Sequence, residues 1–150
     1  MPQNFAPCVI VYSISHAEAV LRVGNRCILL SSPGAALAGG VAWWQELVAL
    51  ARSRVPATAC IDILDCGDAP GIAMAALRMR QAIMVLRPSA PGFAAVARAA
   101  AAQGATVLTE PPFAIDMALR NDQHRLATHL RSQTQQLVTG GDRDTPGTLR

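Results

Sequence analysis

Five stretches of the chain are apolar almost without interruption: Cys8 to Ile14, Cys27 to Leu30, Ala59 to Leu64, Ala82 to Leu86, and Thr106 to Leu108. Continuous rather than alternating apolarity marks strands buried on both faces, as in a parallel sheet. A helical pattern follows each of the first four. After the first strand, Ser15-His16-Ala17-Glu18 has the spacing of a capping box, with Ser15 capping the helix and Glu18 reaching back. That helix stops near Gly24. The second helix spans about Gly34 to Arg54, where Leu37, Val41, Trp44, Val48 and Ala51 recur at helical spacing and are expected to face the sheet. Trp43, Leu47 and Leu50 form an adjacent apolar strip, and Gly39-Gly40 predicts a kink or a late start.

Three helix openings repeat one local pattern: Ser32-Pro33-Gly34-Ala35, Asp68-Ala69-Pro70-Gly71 and Ser89-Ala90-Pro91-Gly92. Ser or Asp is expected to cap the free amides, with Pro in the first turn where its missing N–H costs nothing. Beyond Glu110-Pro111-Pro112, the spacing of Ile115, Leu119, Leu126, Leu130 and Leu137 predicts a helix over 115–137. The division expected is an α/β domain over 1–112, a C-terminal helix over 113–138 and a disordered tail over 139–150.

Composition sharpens this reading. The 150 residues suit one domain with a real core. Charged residues make up only 15% against 51% hydrophobic, which favours buried surface beyond a monomer's core and hence self-association. The strip of Trp43, Leu47 and Leu50 is the expected interface. The net charge of +3 comes from scattered arginines with no lysine and few aromatics, a poor basis for binding nucleic acid. Without lysine no Schiff base forms on a side chain, and no Walker phosphate lysine exists. No stretch reaches membrane-spanning length, and the N-terminus lacks the charged-then-apolar pattern of a leader, so a cytoplasmic protein is expected.

The candidate chemistry gathers at the carboxyl ends of the strands, where open parallel sheets bind ligands. Ser13, Ser15 and His16 follow the first strand, and Ser31 and Ser32 the second. Asp65, Cys66 and Asp68 follow the third, Arg87 and Ser89 the fourth, Thr109 and Glu110 the fifth. Helix N-termini at this rim would favour a small anionic ligand. His16, Asp65 and Cys66 are the candidates for acid, base or nucleophile. No metal site is expected: Asp62 and Asp65 point to opposite faces of one strand, which leaves only Asp65 and Asp68 to converge, and His124 and His129 diverge by about 140° on a helix. No cofactor motif is present either. The four cysteines show no zinc-knuckle spacing, and Cys60 and Cys66 flank one strand about 20 Å apart, too far to bridge.

The stretch Ile61 to Leu77, IDILDCGDAPGIAMAAL, resembles the third strand and following loop of response-regulator receiver domains. Gly104 to Phe113, GATVLTEPPF, similarly resembles their fifth strand and the turn after it. The resemblance covers about 59–116 and implies a flavodoxin-like fold with Asp65 at the phosphoacceptor position. Tyr12-Ser13-Ile14-Ser15 stands where receivers carry their acidic pair, Glu110 or Pro111 replaces their lysine, and Arg87 replaces a Ser or Thr. The resemblance therefore implies lost phosphotransfer and a retained interaction role.

The expectation is a three-layer α/β domain with an open parallel sheet of five strands, flavodoxin-like in the order 2-1-3-4-5, plus an extra C-terminal helix. Its expected function is that of a non-catalytic binding or protein-interaction domain, working as a homodimer. The alternative is a small enzyme acting on an anionic metabolite at the strand-end rim.

Overall fold

The structure, a computed structural model, describes residues 6–139, with side chains in the last helix as far as Arg131. In chain order the elements are β1 (Cys8–Val11), α1 (Ile14–Arg22), β2 (Cys27–Ser31), α2 (Ala35–Arg54), β3 (Cys60–Asp65), α3 (Pro70–Arg78), β4 (Ile83–Val85), α4 (Phe93–Gln103), β5 (Thr106–Leu108), β6 (Ala114–Asp116) and α5 (Arg120–Thr139). The five expected strands are all present and parallel. A sixth, β6, pairs parallel with β1. The expected helix over 115–137 therefore begins late: Ile115 lies in the strand Ala114–Asp116, and the helix starts at Arg120. The expected tail beyond Thr139, and the side chain of Leu137, lie outside the described residues.

The strand order is 5-4-3-2-1-6, which corrects both the count of five and the order 2-1-3-4-5. The difference changes the layering. Crossovers between parallel strands are almost always right-handed. From β1 to β5 each crossover steps to the next strand in one direction, so each lays its helix on the same face. Accordingly α1 packs beside α2, α2 beside α3, and α3 beside α4. Buried side chains from all five helices join one cluster with Val9, Val11, Leu29, Leu64, Met84 and Ile115. The described helices add no buried side chain to the other face, so the third layer expected from the sequence is not seen.

That other face holds a second, smaller cluster of Cys8, Ile28, Leu30, Ile63 and Val85. Its cover is the link from β5 to β6. Residues 109–113 must pass from one edge of the sheet to the other. Five strand spacings of about 4.8 Å make roughly 24 Å in a flat sheet. Six Cα steps reach at most about 21 Å. The sheet must therefore coil to bring its edges together, and the link crosses the concave side as a nearly taut strap. Pro111 and Pro112 suit this, since proline cannot donate to a ladder and favours extended backbone. Beneath the strap lies a cavity of about 490 Å³ floored by Ile28, Ile61, Ile63 and Ile83.

Helix α2 is kinked where Gly39-Gly40 predicted. Gly40 sits at φ +80 and ψ 167, outside the helical region. The kink resets the helical phase. Val41, Trp44, Val48 and Ala51 beyond it face the core as expected, whereas Leu37 before it is 55% exposed. Ile61, also expected in the core, is exposed beside the strap, and Val107 on the edge strand is half-buried.

Helix starts also differ in detail. Ser13, not Ser15, caps α1, its Oγ accepting from the amide of His16 at 3.2 Å. Glu18 instead accepts from Arg22 at 2.9 Å and from Arg54 of α2 at 2.7 Å. No side chain caps α2, α3 or α4. Gly34 and Gly92 turn the chain in left-handed conformation, and Pro70 opens α3. Ser32, Asp68 and Ser89 are thus not the caps expected.

Candidate functional site

The strand-end rim can be rebuilt one residue at a time, and its buried carboxylate is Asp65 at the end of β3. A carboxylate taken out of water needs donors. Here Oδ1 accepts from the amide of Gly67 at 2.8 Å and from that of Gly34 at 3.2 Å. The Ser31 hydroxyl accepts from the Asp65 amide at 2.8 Å. Asp65 therefore ties the loop after β2 to the loop after β3. Those amides are the ones an incoming anion would need.

Cys66 follows immediately, fully buried, and its amide continues the ladder to the carbonyl of Val85 at 2.9 Å. Burial, with the neighbouring Asp65 charge adding to it, pushes the Cys66 thiol up to about 12. A nucleophilic cysteine requires the opposite shift. Cys8 and Cys27 are likewise pushed up to about 12 by burial, each with a further rise from a neighbouring cysteine. All four cysteines are free thiols.

His16 stands on the first turn of α1, its Nδ1 accepting from the Tyr12 amide at 3.3 Å, and its ring meets the Tyr12 ring edge-on. Tyr12 in turn donates its hydroxyl to Asp116 Oδ2 at 3.0 Å. Burial, then the hydrogen bond from this hydroxyl to Asp116, raises the Tyr12 pKa. Asp116 Oδ1 accepts from the amide of Ala118 at 2.8 Å. Among the described residues no hydrogen bond or ion pair joins His16 to Asp65 or Cys66. Ser15, Asp68, Arg87, Ser89 and Glu110 are exposed, and Ser32 is half-buried. Glu110 sits on the strap over the concave face rather than beside Asp65.

Two groupings escaped the sequence reading. The first surrounds Asp62, which is half-buried on the helical face of β3. Its Oδ2 accepts from Trp44 Nε1 at 2.9 Å and Gln81 Nε2 at 2.8 Å, and its Oδ1 from Arg52 Nη2 at 3.0 Å. A carboxylate inside an apolar strand was the available signal, because it must find donors on whatever packs over it. Among the described residues no group of three or more metal-ligating side chains exists. The second grouping is the Tyr12–Asp116 bond, which joins β1 to a strand the sequence did not reveal.

One surface depression among the described residues is mostly apolar. A groove of about 650 Å³ runs between the start of α1 and the kinked α2, lined by Tyr12, Ile14, Trp43, Leu47, Ala49 and Leu50 among others. Trp43 is 39% exposed, and Leu50 and Tyr12 nearly as much. Leu47, expected on the exposed strip, is instead buried in the large core cluster together with Trp44. No helix among the described residues is long and apolar enough to cross a membrane. The model of no known protein family matches this chain, and no curated protein matches its sequence.

Proposed function

We propose that this protein is a non-catalytic interaction domain that self-associates through the face carrying Tyr12, Trp43 and Leu50. The observation that carries the reading is the groove itself. Three large apolar side chains stand part-exposed around one concavity. An indole buries on the order of 200 Å², so at roughly 25 cal/mol per Å² its exposure is expensive. Rigid aromatic anchors of this kind sit at the centres of interfaces. A second copy related by a twofold axis would bring Trp43 against its own counterpart.

The polar rim supports the non-catalytic half of the reading. Asp65 is spent on backbone amides, Cys66 is held as a thiol, and His16 is turned to Tyr12. The free thiols fit a reducing cytoplasm. The alternative enzyme at this rim would have to displace the Gly34 and Gly67 amides from Asp65.

Sedimentation of wild type and Trp43→Glu tests the proposal. The expected result is a wild-type dimer at micromolar concentration and a folded Trp43→Glu monomer. A wild-type monomer at high micromolar concentration would overturn it.

A further inference from the structure

Two helices of this domain end in the same hydrogen-bond pattern with different residues at the critical position. After α4, Gly104 donates to the carbonyl of Ala101 at 3.2 Å and Ala105 to that of Ala100 at 2.9 Å. After α3, Arg80 donates to Leu77 at 3.0 Å and Gln81 to Ala76 at 3.0 Å. Both are Schellman turns, which need a left-handed residue. Gly104 supplies it at φ +72, whereas Arg80 takes it at φ +61. Arg80 is the one described non-glycine residue with positive φ. A side chain there is less favourable than glycine, because Cβ crowds the backbone in the left-handed region. The arginine is held against a local preference that the same chain obeys after α4.

Its side chain borders a cleft of about 430 Å³ at the N-terminal ends of β3 and β4. The polar groups there are Gln45, Arg52, Asp62, Arg80 and Gln81. Asp62 is already met by three donors: Arg52, Trp44 and Gln81. Arg52 Nη2 also reaches the Cys60 carbonyl at 3.1 Å. Gln45 Nε2 donates to the Met79 carbonyl at 3.0 Å and to Gln81 Oε1 at 3.4 Å, and Gln81 Nε2 to the Ile83 carbonyl at 3.1 Å. These contacts fix the walls and cancel the charge of Asp62 against that of Arg52. Among the described residues no ion pair or side-chain hydrogen bond engages the Arg80 guanidinium. The cleft therefore keeps one uncompensated cation, with five N–H donors in a fork that matches a carboxylate or phosphate.

We propose that this cleft is a binding site for a small dianionic oxyanion, a phosphate monoester or a dicarboxylate, with Arg80 as the residue that grips it. Arg52, with Nε and Nη1 still uncommitted to Asp62 or Cys60, adds a second guanidinium at the same wall. The site lies at the opposite end of the sheet from the strand-end rim and does not depend on self-association.

The test is thermal unfolding of the full chain against inorganic phosphate and, separately, succinate at constant ionic strength. Wild type should show a saturable rise of about 3–6 °C at tenfold excess over Kd. Arg80→Gly should lose that rise while melting no lower than wild type without ligand, since glycine suits the turn. Arg78→Gln, which removes an equal charge two residues away, should keep it. A rise with phosphate alone identifies a phosphate monoester, and one with succinate alone a dicarboxylate. No saturable rise in wild type, or one that survives Arg80→Gly, would overturn the site.

Discussion

The two faces of the sheet are built from neighbouring residues yet are covered in opposite ways. On the convex side, Leu64 meets a continuous layer of helices and lies in the large cluster with Trp44, Ala73 and Met84. On the concave side, Ile63 lies in a small cluster beneath a single strap, beside a cavity. Both side chains are buried. The lesson is that equal burial does not mean equal packing: one site has partner atoms all round, while the other borders open volume and forfeits part of its dispersion contacts.

Truncation on the two faces should expose the difference. Leu64→Ala is expected to cost about 3–5 kcal/mol in urea unfolding, and Ile63→Ala only about 2 kcal/mol. Equal costs would mean that the concave face is packed as tightly as the convex one. Loosening the strap should have a smaller effect. Replacing Pro111 and Pro112 by glycine gives the unfolded chain more freedom and should cost about 1–2 kcal/mol in total, with increased binding of a hydrophobic dye to the concave face. An unchanged dye signal would show that the strap does not screen that face. Least of all, Phe113→Ser should change stability by less than about 0.5 kcal/mol, because Phe113 is 80% exposed and its ring lies tilted beside that of His129 with centroids 6.3 Å apart. A larger loss would place Phe113 among the groups that hold the strap down.

How far the sequence revealed this arrangement depended on the kind of signal. Five strands stood out because buried parallel strands are continuously apolar. The Gly39-Gly40 kink was legible, but its consequence for Leu37 was not, since a break in phase reverses which face the preceding turn presents. The strand β6 was hidden because Ala114–Asp116 is too short to show alternation, and Ile115 also fits helical spacing with Leu119. Strand order could not be read at all. Strands with nearly identical Val, Ile and Leu content carry no label for their neighbours, and the receiver-like stretch around Asp65 implied an order in which β1 meets β3. That order would have opened a crevice at the reversal point. With every crossover from β1 to β5 stepping the same way, the order does not reverse between β1 and β3. Asp65 illustrates the limit: a carboxylate ending a strand reads alike whether it waits for a ligand or, as here, braces two loops.

The return of β6 to β1 has a consequence for how the chain assembles. From β1 to β5 each strand pairs with the next one along, separated by a single helix, so the sheet can grow by adding units at one edge. Cys8, by contrast, pairs with Ala114 near the far end of the chain. Closing so long a loop is entropically costly and slow to be rewarded. During synthesis, then, β1 waits longest for its second neighbour and offers an open hydrogen-bonding edge until β6 has emerged. Its four-residue length keeps that edge short, which limits its use as a template for another chain.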